Sequence, residues 1–279
     1  MWRELLVKEE ELADVGIFGI AVDANCSIEK GASAAPRLMR ECSEYLPPFT
    51  IRGQEITTKV FDYGDVCTFD QKEVDAFMDA ALKKPFVLIL GGDHSVSILS
   101  EKSFKERVKG KVGLIHIDAH ADICDVYQGS KISHACVNRR AIENGYLEED
   151  ITMLGIRSFE RQERDFLETS KVTLYTAEHI FEEGIGAVVE KVLQKYEGYD
   201  AVYLSLDIDS VDPAFAPGTG TPEAFGLSSK DLLKILTGLI KNLPVRVMDI
   251  VEVSPPLDTN NITTWLALKY ILEILYLIK

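Results

Sequence analysis

No run of about 18 apolar residues occurs anywhere in the 279-residue chain, which excludes a membrane-spanning helix. The amino terminus, Met1-Trp2-Arg3-Glu4-Leu5-Leu6, lacks a signal-peptide apolar core, so the cytoplasm is the expected location. Cysteine is scarce. Cys26, Cys42, Cys67, Cys124 and Cys136 form no Cys-x-x-Cys pair, and an odd count suits a reducing compartment rather than a disulfide framework. Cys124 and Cys136 read as small packing residues, not nucleophiles. Positive charge is also short: 30 Lys and Arg against 45 Asp and Glu leave a formal charge of −15. That balance argues against nucleic acid or an anionic membrane as partner and mildly favours a cationic small molecule. Nor does any linker divide the chain, so residues 1–279 are expected to form a single domain.

Apolar, strand-like runs are plentiful and alternate with helical stretches. They cover Val15 to Val22, Thr58 to Phe61, Phe86 to Leu90, Val112 to Asp118, Ile151 to Gly155, Val172 to Tyr175, Ala201 to Asp207 and Val245 to Val251. This alternation predicts parallel βαβ units. The runs at 86–90, 112–117 and 201–206 are almost continuously apolar, as central strands covered on both faces require. The fold class is therefore α/β, a three-layer α/β/α sandwich with a mostly parallel sheet. Pro36 sits where a helix should start after the first strand, and Ile262 to Ile278 predicts a closing helix too apolar to have only one buried face.

Three of these strands end in metal-ligand chemistry. Val112-to-Ile117 leads into Asp118-Ala119-His120-Ala121-Asp122; Phe86-to-Leu90 leads into Gly91-Gly92-Asp93-His94-Ser95; Ala201-to-Leu206 leads into Asp207-Ile208-Asp209. Side chains two apart on an extended chain project the same way, so Asp118, His120 and Asp122, and likewise Asp207 and Asp209, are expected to converge. Parallel sheets build their sites at the carboxyl ends of strands, which gathers six ligands in one place. Two imidazoles and four carboxylates without thiolate suit Mn²⁺ rather than structural Zn²⁺, and are too rich in acid for one ion. Two ions about 3.5–4 Å apart lower the pKa of a shared water. The glycine pair at 91–92 is not a phosphate-binding loop, because no Lys-Ser or Lys-Thr follows. Asp93 is expected to point away from the ligands and to orient them through hydrogen bonds. His116 reads as a packed strand histidine and His179 as a loop or rim residue.

Taken together with Ser205-Leu206-Asp207-Ile208-Asp209-Ser210-Val211-Asp212-Pro213, Ala216-Pro217-Gly218-Thr219-Gly220-Thr221-Pro222-Glu223 and Glu252-Val253-Ser254-Pro255, these clusters resemble the ureohydrolases, the arginase and agmatinase family of binuclear manganese hydrolases. The resemblance implies an arginase-like fold with an eight-stranded sheet and two Mn²⁺ per chain. One ion would be held by His94, Asp118, Asp122 and Asp207, the other by Asp118, His120, Asp207 and Asp209. It implies that His134, after a loop over residues 123–133, shuttles protons, that Asp209 stabilises the intermediate, and that Glu252 binds the substrate guanidinium. It further implies a small guanidino substrate and a homo-oligomer, trimer or hexamer.

Gly155-Ile156-Arg157-Ser158 and the Pro-Gly-Thr-Gly-Thr-Pro loop are of agmatinase type, and the Ser-Gly-Asn-like segment that holds an α-amino acid head is replaced by Gly129-Ser130-Lys131-Ile132-Ser133. Agmatine is thus the expected substrate, with guanidinobutyrate, formiminoglutamate and arginine as alternatives; Lys131 is the residue that would pair with a carboxylate. Ala135 stands where the family has Gly, and Ala224-Phe225-Gly226 replaces a glycine pair, an exchange expected to narrow the mouth. Arg37 is read as surface charge or a wall of that mouth. The rival readings are a single-zinc deacetylase-like enzyme and a non-catalytic metal-binding protein.

Overall fold

Val87, Leu88, Ile89 and Leu90 are all buried, which only a strand covered on both faces allows. Val87 and Ile89 join Val74, Met78 and Phe104 in one apolar cluster, whereas Phe86, Leu88 and Leu90 join Val188, Leu236 and Ile271 in a second. The two-residue period of the strand thus divides one apolar run between two cores.

The computed structural model describes residues 2–278. Its strands are β1 (Val15–Ile20), β2 (Val60–Val66), β3 (Phe86–Leu90), β4 (Val112–Ile117), β5 (Ile151–Ile156), β6 (Thr173–Thr176), β7 (Ala201–Asp207) and β8 (Val245–Val251). They form one eight-stranded sheet in the order β2-β1-β3-β8-β7-β4-β5-β6, every pair parallel. The helices α2 (Gln71–Ala81), α3 (Val96–Arg107), α4 (Val137–Glu143) and α5 (Arg161–Leu167) cover one face. On the other lie α1 (Ala35–Ser43), α6 (Ala177–Glu183), α7 (Ile185–Lys195), α8 (Ser229–Asn242) and α9 (Ile262–Leu277). The expected three-layer α/β/α architecture is present. Among the described residues no helix is long and apolar enough to cross a membrane.

Pro36 falls in the first turn of α1, where a missing N–H costs nothing. Helix α9 packs against both α1 and α8, and Thr263, Ala267, Leu268, Ile271 and Leu275 are buried. Its excess of apolar residues is explained by these two neighbours. Strand β2 departs from expectation: it spans Val60–Val66 rather than Thr58 to Phe61, continuing through Asp62, Tyr63, Gly64 and Asp65. It lies at the sheet edge, and its acids are held by a buried cation that no local pattern reveals. Arg40 Nε and Nη2 donate to Asp62 at 2.7 and 2.8 Å, Nη1 reaches Asp65, and Trp2 Nε1 adds a bond to Asp62 at 3.2 Å.

Removing one member of a buried ion pair leaves the other unpaired, at a cost of about 3–5 kcal/mol. Arg40→Ala should lower unfolding free energy by that order in denaturant titrations, and an effect below about 1 kcal/mol would mean that the pair behaves as an exposed one.

Candidate metal centre

Four neighbouring strands in the middle of the sheet, β3, β8, β7 and β4, end at the same edge. Their C-terminal segments carry Asp93 and His94, Glu252, Asp207 and Asp209, and Asp118 to Asp122 respectively. Gly92 makes the tight junction between the first two and β1: a Cβ there would lie 1.8 Å from the Val22 carbonyl oxygen, and its own carbonyl accepts the Glu252 N–H at 2.8 Å. Only glycine fits that approach.

Convergence is achieved differently from the expected strand alternation. Strand β4 stops at Ile117, and Asp122 has φ 47°, in the left-handed region. Asp209 lies in a short helical turn at 208–210, and Glu252 has φ 61°. Non-glycine residues in that region are uncommon and cluster at functional sites. The six residues still meet, because irregular turns re-aim side chains that regular strands would have sent along one line.

His94 Nδ1 lies 3.0 Å from Asp118 Oδ2, 3.0 Å from Asp122 Oδ2 and 3.4 Å from Asp207 Oδ2. His120 Nδ1 lies 3.1 Å from Asp209 Oδ2 and 3.6 Å from Asp118 Oδ1. Asp118 therefore faces both imidazoles. Burial, then Asp209 and Asp118, push the Asp207 carboxyl well above its usual range, and burial with Asp118 raises Asp122. Burial disfavours charge on His94, yet the surrounding carboxylates hold its pKa well up. His94 Nδ1 and Asp118 Oδ2 are buried without a hydrogen-bond partner. A single imidazole nitrogen cannot satisfy three carboxylates, whereas divalent cations accept all of these hard donors at once. The residues fit a metal centre.

His116 is close enough to His94 and Asp118 to complete a ligand group, but both its nitrogens are engaged. Nε2 is 2.7 Å from Glu101 Oε1, Nδ1 is 3.2 Å from Asn138 Nδ2, and the ring stacks on His94 at 5.1 Å. It is the packed strand histidine expected. Asp93 points away from the ligands, accepting from the N–H groups of Asn25 and Ser95, each at 2.9 Å.

A cleft of about 330 Å³ opens onto His120 and Asp122, bounded by Ser27, Ile28, Tyr127, His134, Ser158, Phe159, Glu160, Glu163 and the loop from Gly220 to Glu223. The segment after Asp122 is the irregular loop expected, and His134 sits at its end, buried rather than on the surface. His134 Nε2 is 2.8 Å from Ser27 Oγ and its Nδ1 is 3.4 Å from Glu252 Oε1. Burial opposes its charge, but Glu252 and then Asp122 outweigh that and lift its pKa to about 9. Glu252 Oε1 also accepts the His94 N–H at 2.8 Å. Arg157 holds the opposite wall by donating to the carbonyls of Gly155, Asp209, Ser210, Glu223 and Ala224.

Three expectations about the rim change. Phe225 is 89% exposed and does not line the cleft, so it does not narrow the mouth; φ 65° at that residue turns it outward. Lys131 pairs with Asp125 at 3.6 Å instead of lining the cleft. His179 is exposed on helix α6 rather than in a loop or at the cleft rim, whereas Arg37, beside Glu41 at 3.8 Å, is the surface charge expected. Ser27, Asn25 and Tyr127 were not legible as site residues, because no ligand spacing marks them and only the turn after β1 brings the first two there.

A parallel α/β sheet that gathers two imidazoles and four carboxylates at one edge offers the donor set of a divalent-cation site. Residues 13–276 match the family model of Arginase, the arginase family. A guanidinobutyrase of Pseudomonas aeruginosa is 34% identical, covering 96% of this chain and 87% of that protein. An agmatinase of Neisseria meningitidis is 35% identical, covering 96% and 88%. The crystal structure of agmatine ureohydrolase of Thermoplasma volcanium superposes with a TM-score of 0.84 at 32% identity, covering 97% of this chain and 92% of that one. The chain belongs to the arginase family and is a hydrolase of the ureohydrolase type.

A ligand that binds only the folded state stabilises it by about 2.7 kcal/mol at 100-fold its dissociation constant. Divalent cation should accordingly raise the melting temperature of chelator-treated protein, and Asp122→Ala should lose most of that rise. Equal shifts in the two proteins would remove Asp122 from the ligand set.

Proposed function

We propose that the protein is a binuclear Mn²⁺ amidinohydrolase that converts agmatine to putrescine and urea. Sequence identity does not separate this from guanidinobutyrate hydrolysis, since relatives with the two names stand at 35% and 34%. The observation that carries the choice is the charge of the cleft. Glu160 and Glu223 line it with Glu163, whose carboxyl pKa burial lifts to about 7, and no Lys or Arg does. A substrate with a second cation at its far end is attracted there, whereas a carboxylate meets like charge without a partner. Arginine suffers in addition because its α-carboxylate meets no Lys or Arg in the cleft lining.

His94, Asp118, Asp122 and Asp207 would hold one ion, and Asp118, His120, Asp207 and Asp209 the other. When bound, the two cations supply a water of lowered pKa and stabilise negative charge on the reacting group. Glu252 accepts hydrogen bonds from the guanidinium, whose planar donors match a carboxylate. Its Oε1 is already oriented by the His94 N–H at 2.8 Å. Asp209, fixed by Thr221 Oγ1 at 3.1 Å and by the Ala119 N–H at 3.1 Å, stabilises the tetrahedral intermediate. His134 keeps its proton at neutral pH through Glu252 and gives it to the departing amine. The reading includes a cytoplasmic homo-oligomer acting on a small molecule, with no nucleic-acid or membrane partner.

Initial urea release at matched subsaturating concentrations should give a higher kcat/KM for agmatine than for arginine or 4-guanidinobutyrate. Glu160→Gln should narrow that preference. A better rate with 4-guanidinobutyrate would refute the agmatine assignment and leave the metal centre standing.

His134→Asn should retain the cation-dependent rise in melting temperature while losing about 10²–10⁴-fold in kcat. Loss of bound metal in that variant would instead make His134 a ligand.

A further inference from the structure

Behind His94, on the side turned away from the three carboxylates, runs a chain of buried hydrogen bonds that the proposed chemistry leaves unused. His94 Nε2 lies 3.0 Å from Ser205 Oγ, and Ser205 Oγ donates to Asp249 Oδ1 at 2.7 Å. Ser205 on β7 and Asp249 on β8 are register partners at the centre of the sheet, and both are fully buried. The same Asp249 oxygen accepts the Leu206 N–H at 3.3 Å. Its other oxygen accepts from Ser97 Oγ at 2.6 Å and from Tyr203 OH at 2.7 Å. The neighbours of the pair along both strands are apolar. Polar groups at such positions cost free energy that an aliphatic pair would not.

Proton accounting gives this chain a direction. Both Asp249 oxygens accept in this arrangement, Oδ1 from Ser205, so the single hydroxyl proton of Ser205 is committed to it. Ser205 Oγ can then serve His94 only as an acceptor, which in a neutral ring places the proton on Nε2. The lone pair is left on Nδ1, the atom that faces Asp118 and Asp122 at 3.0 Å and Asp207 at 3.4 Å. A neutral imidazole with its lone pair toward three carboxylates is unfavourable unless a cation lies among them.

We propose that Asp249, acting through the Ser205 hydroxyl, is a positioning residue that fixes His94 as an Nε2–H imidazole with Nδ1 presented to the cation. The inference rests on the metal-centre reading. Hydrogen-bonded groups behind a ligating histidine fix its tautomer and orientation, and their loss typically lowers metal affinity about 10–100-fold. Ser97 ties the device to the start of α3, immediately after the turn that carries His94, so ring and carboxylate are anchored to the same segment.

The test is a Mn²⁺ titration of chelator-treated full-length protein, with free Mn²⁺ followed by electron paramagnetic resonance. Ser205→Ala and Asp249→Asn should each weaken one of two sites about 10–100-fold and leave the other near wild type. Excess Mn²⁺ should restore kcat with KM for substrate unchanged. The double variant should bind no more weakly than Ser205→Ala alone, because both changes interrupt one relay. Wild-type affinity in the folded single variants, or full additivity in the double, overturns the proposal. A second measurement needs no variant: long-range ¹H–¹⁵N spectra of the Zn²⁺-loaded protein should show His94 protonated at Nε2, and protonation at Nδ1 overturns it. A wild-type protein that binds no divalent cation would fail at the earlier step, sinking the metal-centre reading and the relay with it.

Discussion

Four buried carboxylates held against one another, with two imidazoles between them, are the constraint on which the rest of this structure depends. Burial alone raises the cost of each charge; Asp209 and Asp118 raise it further for Asp207, and Asp118 for Asp122. A protein has little reason to collect such groups in its interior except to bind cations, which turn mutual repulsion into shared coordination. The unpartnered His94 Nδ1 and Asp118 Oδ2 mark the place where a cation would make that exchange.

The sheet makes the collection possible. Rigid, doubly covered strands bring four chain segments to one edge, and the segments then leave regular geometry to aim their side chains. The left-handed conformations of Asp122 and Glu252 and the bare backbone contact at Gly92 are local costs that the two large apolar clusters offset. Such departures belong at the site because packing on all sides holds conformations the chain would not choose alone. The loop from Ala216 to Glu223 is secured from outside the cleft: the Gly218 N–H donates to Thr263 Oγ1 at 2.7 Å, and Arg157 grips its later carbonyls.

The same acidity extends outward. The chain carries a formal charge of −15, and the cleft walls add carboxylates and no Lys or Arg. Under the proposed function, these walls would meet the far end of the substrate, and discrimination among guanidino compounds would rest on the electrostatics of the mouth.

The sequence by itself determined the α/β class, seven of the eight strand positions to within a few residues, and the six candidate ligand residues that the structure brings together, because apolar runs and two-residue spacings are local signals. It also carried the family, through motifs such as Asp118-Ala119-His120-Ala121-Asp122 whose chemistry is concentrated in a few adjacent residues. Tertiary structure decided what depends on distant partners. Strand β2 runs through Asp62 and Asp65 because Arg40 arrives from α1; no window of sequence contains that pairing. Phe225 and Lys131, which sequence order sets near the mouth, turn away from it. Ser27 reaches His134 across 107 positions, and Asp249 reaches Ser205 across 44. Hydrogen bonds between separate strands and turns leave no periodicity in the chain, so their direction, and with it the proton on His94, emerges only when the sheet is assembled.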